Sequence, residues 1–262
     1  MASASHTVLV VRPRAQALAW VDELAALGVA ARALPLIAIL PAPEPARVAA
    51  VFDDAAASPA QPVLVFVSPN AVHGFFEAGR TGARAWPAQA RAAATGPGTV
   101  AALRERGVPS ACIVAPPTDA AQFDSEALWS VIAGWPWRAR PVWIVRGNGG
   151  RDWLGQQLRD AGAEVRVIQA YGRAEPSLEV DERALLDAAR AEPARWIWMF
   201  SSSEAVDNLR LLAPDARWGA ARALASHPRI AEAVEAAGFG VVTLVAPTPA
   251  AVAAAVAETP GH

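Results

Sequence analysis

The sequence predicts an α/β protein made of two similar lobes, each a parallel sheet covered by helices, and three observations carry that reading. The first is an internal duplication. Val8 to Ile37 and Val142 to Tyr171 both read as strand, turn, helix, turn, strand, and they align without a gap, so that Val8 meets Val142, Arg12 meets Arg146, Leu24 meets Leu158 and Gly28 meets Gly162. A match of that length reports a repeated structural unit. The second is that the repeat runs on: VFVSPNAV (Val65 to Val72) returns as WMFSSSEAV (Trp198 to Val206), ATGPGTVAALRERGV (Ala94 to Val108) as ASHPRIAEAVEAAGF (Ala225 to Phe239), and APPT at 115 more weakly as APT at 246. The third is the alternation of short β-branched runs with helical stretches, the pattern of a parallel sheet buried on both faces. At roughly 100 to 200 residues per domain, 262 residues allow one large domain or two small ones, and the repeat favours two.

Taken in order, Val8 to Val11 is apolar and β-branched and suits a buried strand. Leu18, Val21, Leu24 and Leu27 are expected to line one face of the following helix, which Gly28 stops. Leu34 to Pro45, LPLIAILPAPEP, is an extended run closed by prolines and reads as a connector. A helix near 47–57, strand 63–67, helix 70–78, strand 92–95, helix 99–106, strand 112–115 and helix 124–133 follow. Strand 142–145 and its helix lead to a second extended run, Val165 to Pro176, and the remainder repeats the scheme with strands at 196–200, 222–225 and 241–245. The two extended runs hold equivalent places and could pair as a bridge; a simple cut near residue 135 is the other arrangement the residues allow.

Composition narrows the function. The 23 basic residues nearly balance 25 acidic ones, which gives no basic field for nucleic acid and no polybasic patch for a membrane, and points to a small-molecule ligand. The start MASASHTVLVV has no charged leader, and no run approaches the roughly 18 apolar residues of a spanning helix, so a cytoplasmic chain is expected. Every basic residue is Arg. Without Lys there is no Schiff base, no pyridoxal phosphate anchor and no phosphate-loop lysine. Cys112, the only cysteine, reads as a space-filler, and His6, His73, His227 and His262 show no metal-ligand spacing, so no metal is expected. RGNGG at 146 to 150 is not the GxGxxG dinucleotide fingerprint, and no cofactor is expected from it.

In parallel α/β sheets ligands gather where strands end and helices begin with unpaired N–H groups. This chain offers Arg12, Ser68-Pro69-Asn70, Thr95-Gly96-Pro97-Gly98, Arg146-Gly147-Asn148-Gly149-Gly150, Ser201-Ser202-Ser203 and Ser226-His227-Pro228. Each suits a carboxylate or phosphate, but Ser, Thr and Asn are also the favoured helix caps and appear at helix starts with no ligand at all, so any one taken alone reads first as a cap. As a set they suggest a polyanion site. Tyr171, the only tyrosine, lies in the second extended run, where it is either a hydrogen-bonding acid facing a cleft between lobes or an aromatic that packs a hinge.

These motifs in this order, VRP at 11 to 13, FVSPNAV at 66 to 72, TGPGTVAAL at 95 to 103, VRGNGGRDWL at 145 to 154, AYGR at 170 to 173 and FSSSEAV at 200 to 206, resemble the uroporphyrinogen-III synthase family along the whole chain. The resemblance implies lobes joined by a two-stranded β linker: residues 1–34 plus 177–262, linker strands 35–41 and 167–176, and 42–166. It implies a cofactor-free lyase of tetrapyrrole biosynthesis that closes hydroxymethylbilane to uroporphyrinogen III. Such an enzyme acts as a monomer, with at most transient contact with the preceding pathway enzyme. It points to Tyr171 as the candidate acid, and to Arg12, Ser68, Asn70, Thr95, Gly96, Arg146, Gly147, Gly150, Arg151, Ser201, Ser202 and Ser226 as substrate-binding residues. One departure is Ser226 to Ile230, which stands where the family often repeats the turn of Thr95 to Thr99. The rival classes are a bilobed sensor that binds an anionic metabolite without turnover, and a hydrolase or isomerase of phosphorylated sugars. The latter would need a base at a strand end, and only His227 offers one.

Overall fold

A computed structural model describes residues 6–79, 85–120 and 122–258; His262 lies outside them. The chain opens with β1 (Thr7–Val10), α1 (Arg14–Ala26), β2 (Ala31–Ala33) and β3 (Ala38–Pro41). Then come α2 (Pro45–Ala57), β4 (Val63–Phe66), α3 (Pro69–Ala78), β5 (Arg91–Ala94), α4 (Pro97–Glu105), β6 (Ile113–Val114) and α5 (Ser125–Ile132). The central repeat supplies β7 (Pro141–Arg146), α6 (Trp153–Asp160), β8 (Glu164–Gln169) and β9 (Tyr171–Ala174). The rest is α7 (Val180–Ala191), β10 (Trp196–Phe200), α8 (Ser203–Leu212), β11 (Arg222–Ala225), α9 (Pro228–Ala236), β12 (Val241–Leu244) and α10 (Pro249–Ala257).

The chain divides into two compact units, Met1–Ala38 with Ala174–His262, and Ile39–Arg173. The first holds a sheet ordered β12-β11-β10-β1-β2, the second a sheet ordered β6-β5-β4-β7-β8, and every ladder in both is parallel. Strand for strand these are one sheet made twice, with β1 and β2 in the places of β7 and β8. The duplication is therefore permuted: the chain begins the first unit, completes the second, and returns. β3 pairs with β9, and the division between units falls inside these two strands.

Local chemistry explains the element ends. Five helices, α2, α3, α4, α9 and α10, carry proline at their first turn, where the missing N–H is no loss and φ is already helical. Gly28 and Gly162, a repeat pair, end α1 and α6 alike: both have positive φ (77° and 93°), and the next residue's N–H returns to Leu24 and Leu158 at 2.9 Å. The central strands β4 and β10 are buried at every residue, as runs covered on both faces must be, and pack Phe66 and Phe200 into aromatic clusters with Phe75 and Trp86, and with Trp198 and Phe239.

Two expectations are corrected. The buried side of α1 is Ala17, Trp20 and Leu24, whereas Leu18 and Leu27 are exposed. Six residues at about 100° each place Leu18 roughly 120° from Leu24, and Leu27 has already left the helix as its cap residue. The second extended run is not one linker. Val167, Ile168 and Gln169 pair with β7, Ala170 N–H makes the last bond to Arg146 O at 2.9 Å, and β9 begins at Tyr171, because β7 itself ends at Arg146.

Candidate functional site

In the unit Ile39–Arg173, two of the expected residues, Ser68 and Gly147, meet around the phenol of a third, Tyr171. Ser68, two residues beyond β4, is in extended backbone and caps α3, its Oγ accepting from Ala71 N–H at 3.1 Å, and Asn70 lies on the first turn of the same helix. Tyr171, at the start of β9, is 2% exposed; its Oη lies 3.2 Å from Ser68 Oγ and accepts from Arg173 Nη2 at 3.2 Å. Gly147 lets the ring in: a Cβ there would stand 2.8 Å from Tyr171 Cζ. Gly74, on α3, would drive a Cβ to 2.2 Å from the Ala170 carbonyl oxygen and to 3.4 Å from Tyr171 Cβ, so the helix and the strand touch by their backbones. The phenol is thus a core group with a polar tip, its ring packed among aliphatic and aromatic neighbours of this unit.

Thr95 and Gly96 form the neighbouring helix start. Thr95 is buried and its N–H bonds Phe66 O at 3.4 Å, which carries the β4–β5 ladder to its end. Gly96 caps α4 with no side chain to help; a Cβ there would lie 2.9 Å from Phe123 Cβ, so close approach explains the glycine. A Cβ at Gly98 would lie 3.6 Å from Pro69 Cγ, so the first turns of α3 and α4 run close together.

The expected helix start at Arg146 to Gly150 is corrected. α6 begins only at Trp153 after Asp152, so residues 147–152 form a loop. The loop is held by Arg146, whose Nη2 donates to the carbonyls of Gly149 and, at 2.6 Å, Gly150. Asn148 bonds the backbone of Arg173 twice, Nδ2 to its carbonyl at 3.0 Å and Oδ1 from its N–H at 2.7 Å, imitating a strand partner for β9. Arg151 grips Glu126 with both Nη atoms, at 2.5 and 3.1 Å, and this pair raises its pKa further. A cavity of about 360 Å³ opens beside the loop, lined by Arg47, Arg146, Asn148 and Gln169 among others.

In the other unit, Arg12 follows β1 and lies over the Trp20 ring at 4.6 Å, with Nε donating to Gln16 at 3.3 Å. Burial lowers its pKa to about 10, with Glu23 acting weakly the other way, so it remains a cation at neutral pH. Ser201, Ser202 and Ser203 are half-buried at the start of α8, where Ser202 is the cap residue yet makes no side-chain cap bond, and Ser203 Oγ is buried with no partner. Ser226 N–H bonds Phe200 O at 3.1 Å, as Thr95 does to Phe66, and His227 caps α9 through Nδ1, accepting from Arg229 N–H at 3.2 Å. Asn148 and Arg173 entered the sequence reading only as parts of the Arg146 to Gly150 strand end and the AYGR motif, and neither was assigned a role. The signal for Arg173 existed: it stands two residues beyond Tyr171 in a strand and so shares its face.

A family model described as uroporphyrinogen-III synthase HemD matches residues 19–254. The chain belongs to the uroporphyrinogen-III synthase family. Solved structures agree in fold: a uroporphyrinogen-III synthetase from Helicobacter pylori aligns with TM-score 0.58 at 15% identity over 97% of this chain and 100% of that one. A mutant uroporphyrinogen III synthase from the extremely thermophilic bacterium Thermus thermophilus aligns with TM-score 0.55 at 18% identity over 90% and 92%. Comparison with curated proteins by sequence returns no match. Among the described residues no helix is long and apolar enough to cross a membrane, and no group of three or more His, Cys, Asp or Glu could hold a metal ion.

Proposed function

We propose that this chain closes linear hydroxymethylbilane to uroporphyrinogen III, losing water and inverting ring D. The family match over residues 19–254 carries the reading, and the local chemistry supports it. The reaction begins when a pyrrole nitrogen expels the terminal hydroxyl and leaves an electrophilic azafulvene. Ring D attacks through its substituted carbon, passes through a spiro intermediate and recloses inverted. Closure without the enzyme gives the uninverted isomer, so the main task is to hold the reacting ends in place, and orientation can lower a barrier by several kcal/mol without a nucleophile.

The substrate carries many carboxylates, and the helix starts at Ser68, Thr95, Ser202 and Ser226 offer N–H donors and partial positive charge, each worth about 0.3–1 kcal/mol at an exposed end. Arg12 adds a cation, held over Trp20 with its Nε on Gln16. Arg146 and Arg151 serve differently from a free clamp: one shapes the loop and the other is paired to Glu126. Departure of water is the step that gains from an acid, and the 3.2 Å approach of the Tyr171 and Ser68 hydroxyls supports assigning it to that pair. We assign the chain to the monomeric state, acting in the cytoplasm. The test is to supply hydroxymethylbilane and chromatograph the oxidised products. Type III product, unaffected by EDTA, is expected; type I alone from folded protein rejects the reading, as does binding without turnover.

A further inference from the structure

We infer that Ser68 presents the proton to the departing hydroxyl, with Tyr171 behind it as the proton source and Arg173 and Asn148 as positioning residues; this rests on the function proposed above. Three hydrogen bonds orient the relay. Arg173 has only donors, so at 3.2 Å it takes a lone pair of Tyr171 Oη. Ala71 N–H likewise takes a lone pair of Ser68 Oγ. Between the two hydroxyls, 3.2 Å apart, either proton could bridge. If Ser68 donated, the phenolic proton would be left without an acceptor inside a 2% exposed side chain, the unfavourable arrangement. If Tyr171 donates, both acceptor positions of Ser68 are filled, by Ala71 and by the phenol, and the half-buried serine turns its own proton away from both.

The ring cannot take over the serine's place. Gly147 closes on Cζ from one side, and Asn148, the next residue, grips the backbone of Arg173 at 2.7 and 3.0 Å, fixing the strand that carries both Tyr171 and its guanidinium partner. Arg173 Cζ lies 5.8 Å from the ring centroid with Nη2 on Tyr171 Oη at 3.2 Å, so a fixed positive charge sits beside the oxygen that gives up the proton. Ser68, as cap of α3, sits at the positive end of a helix that favours negative charge on the same pair.

In the step itself the C–O bond breaks with its electron pair going to oxygen. That oxygen takes the Ser68 proton and leaves as water, while the Tyr171 proton moves to Ser68. The phenolate waits beside Arg173 until the proton released when ring D regains its aromaticity after the last closure restores the phenol. No outside acid or oxidant is needed.

The test uses the full chain with Ser68→Ala, Ser68→Asn, Ser68→Thr, Tyr171→Phe, the double Ser68→Ala/Tyr171→Phe, and Asn148→Ala. Ser68→Asn keeps the helix cap without a hydroxyl, so a slow but folded variant cannot be blamed on α3. Expected are kcat losses of about 10²- to 10⁴-fold in Ser68→Ala, Ser68→Asn and Tyr171→Phe, KM near the parent's, and no further loss in the double variant. Ser68→Thr should retain turnover, and Asn148→Ala should lower kcat rather than raise KM. The proton inventory in mixed H2O and D2O should be curved for the parent and linear for Tyr171→Phe. All variants should still give type III product. A large loss in Tyr171→Phe with Ser68→Ala and Ser68→Asn near the parent overturns the relay in favour of direct donation by the phenol. Turnover near the parent's in all variants overturns it in favour of orientation alone. In both cases type III product from the parent keeps the function reading standing, and type I from the parent sinks that reading separately.

Discussion

The two units repeat one sheet, yet their helix starts are finished differently. In Ile39–Arg173 the groups at the strand ends are tied to one another: Ser68 to Ala71 and Tyr171, Tyr171 to Arg173, Arg173 to Asn148, Arg146 to the Gly149 and Gly150 carbonyls, Arg151 to Glu126. In the other unit the matching serines and arginine are not tied to one another. Ser202, the counterpart of Ser68, is the cap residue but makes no side-chain cap bond; Ser203 Oγ is unpartnered; Arg12, the counterpart of Arg146, rests on Trp20 and Gln16. Even the residue after the arginine has diverged, Gly147 against Pro13, because only one unit has a tyrosine ring to admit. A group already satisfied within the protein is fixed in direction, which suits proton delivery. A group left open can take its partner from a ligand, which suits binding.

That division orders the expected effects. The largest contrast is between the two serines. Ser68→Ala should lower turnover by about 10²- to 10⁴-fold, whereas Ser202→Ala should change KM by only the few-fold that one hydrogen bond of about 0.5–1.5 kcal/mol supplies. Steady-state kinetics on the pair decide it, and equal losses would erase the distinction between the units.

Next come the arginines. Arg12→Met keeps the apolar stem over Trp20 and removes the cation, so KM should rise by about tenfold or more, the scale of a charged hydrogen bond of about 1.5–3 kcal/mol. Its stability effect has the opposite sign. A folded-state pKa of about 10, below the ordinary arginine value, means the fold disfavours the charged arginine. That destabilisation is fully present below about pH 10 and is relieved as pH rises from there toward the ordinary arginine value. At neutral pH the Tm of Arg12→Met should therefore equal or exceed the parent's. A lower Tm with unchanged KM would make Arg12 a structural residue.

A smaller effect is expected at Gly147. An added Cβ at 2.8 Å from Tyr171 Cζ requires the ring to shift, and Gly147→Ala should cost about 1–3 kcal/mol in denaturant unfolding. Turnover should fall with it, because the phenol moves off Ser68. Pro13→Ala at the matching position meets no such ring and should leave turnover near the parent's. Equal stability losses at both positions would mean the glycine answers to the loop and not to the tyrosine.

Much of this fold was legible in the sequence, and what was not has physical reasons. Val63 to Phe66 and Trp196 to Phe200 announced themselves because central parallel strands are apolar throughout, and the pairs Gly28 with Gly162 and Ser68 with Ser202 carried the duplication. The run from Val165 to Pro176 hid two strands, because an extended chain that changes partners at Ala170 keeps the same composition across the break. Leucine at 18 and 27 suggested the wrong face of α1, since a small alanine at 17 packs the sheet as well as a leucine. At the site, cap-forming residue types marked the helix starts but not which caps are used; Ser68 and Ser202 look alike until their hydrogen bonds are traced. Asn148 was least legible, as its partners are backbone atoms that leave no mark in the sequence of the facing strand.

The smallest effect on the free protein should come from Ser203, and it is the sharpest probe of the open unit. Its Oγ is buried with no partner, whereas Ser68 Oγ holds two. Removing an unsatisfied hydroxyl removes a desolvation penalty along with a little packing, so Ser203→Ala should leave unfolding stability within about 0.5 kcal/mol of the parent, or raise it. Ser68→Ala, which strips a working cap, should cost about 1 kcal/mol by the same measurement. If Ser203 is completed by a substrate carboxylate, the difference appears only with ligand present: the rise in Tm produced by hydroxymethylbilane should be smaller in Ser203→Ala than in the parent, because binding raises Tm in proportion to RT ln(1 + [L]/Kd). An unchanged ligand-induced rise would show that Ser203 is a flaw the fold tolerates, and the case for an open binding unit would then rest on Ser202 and Arg12.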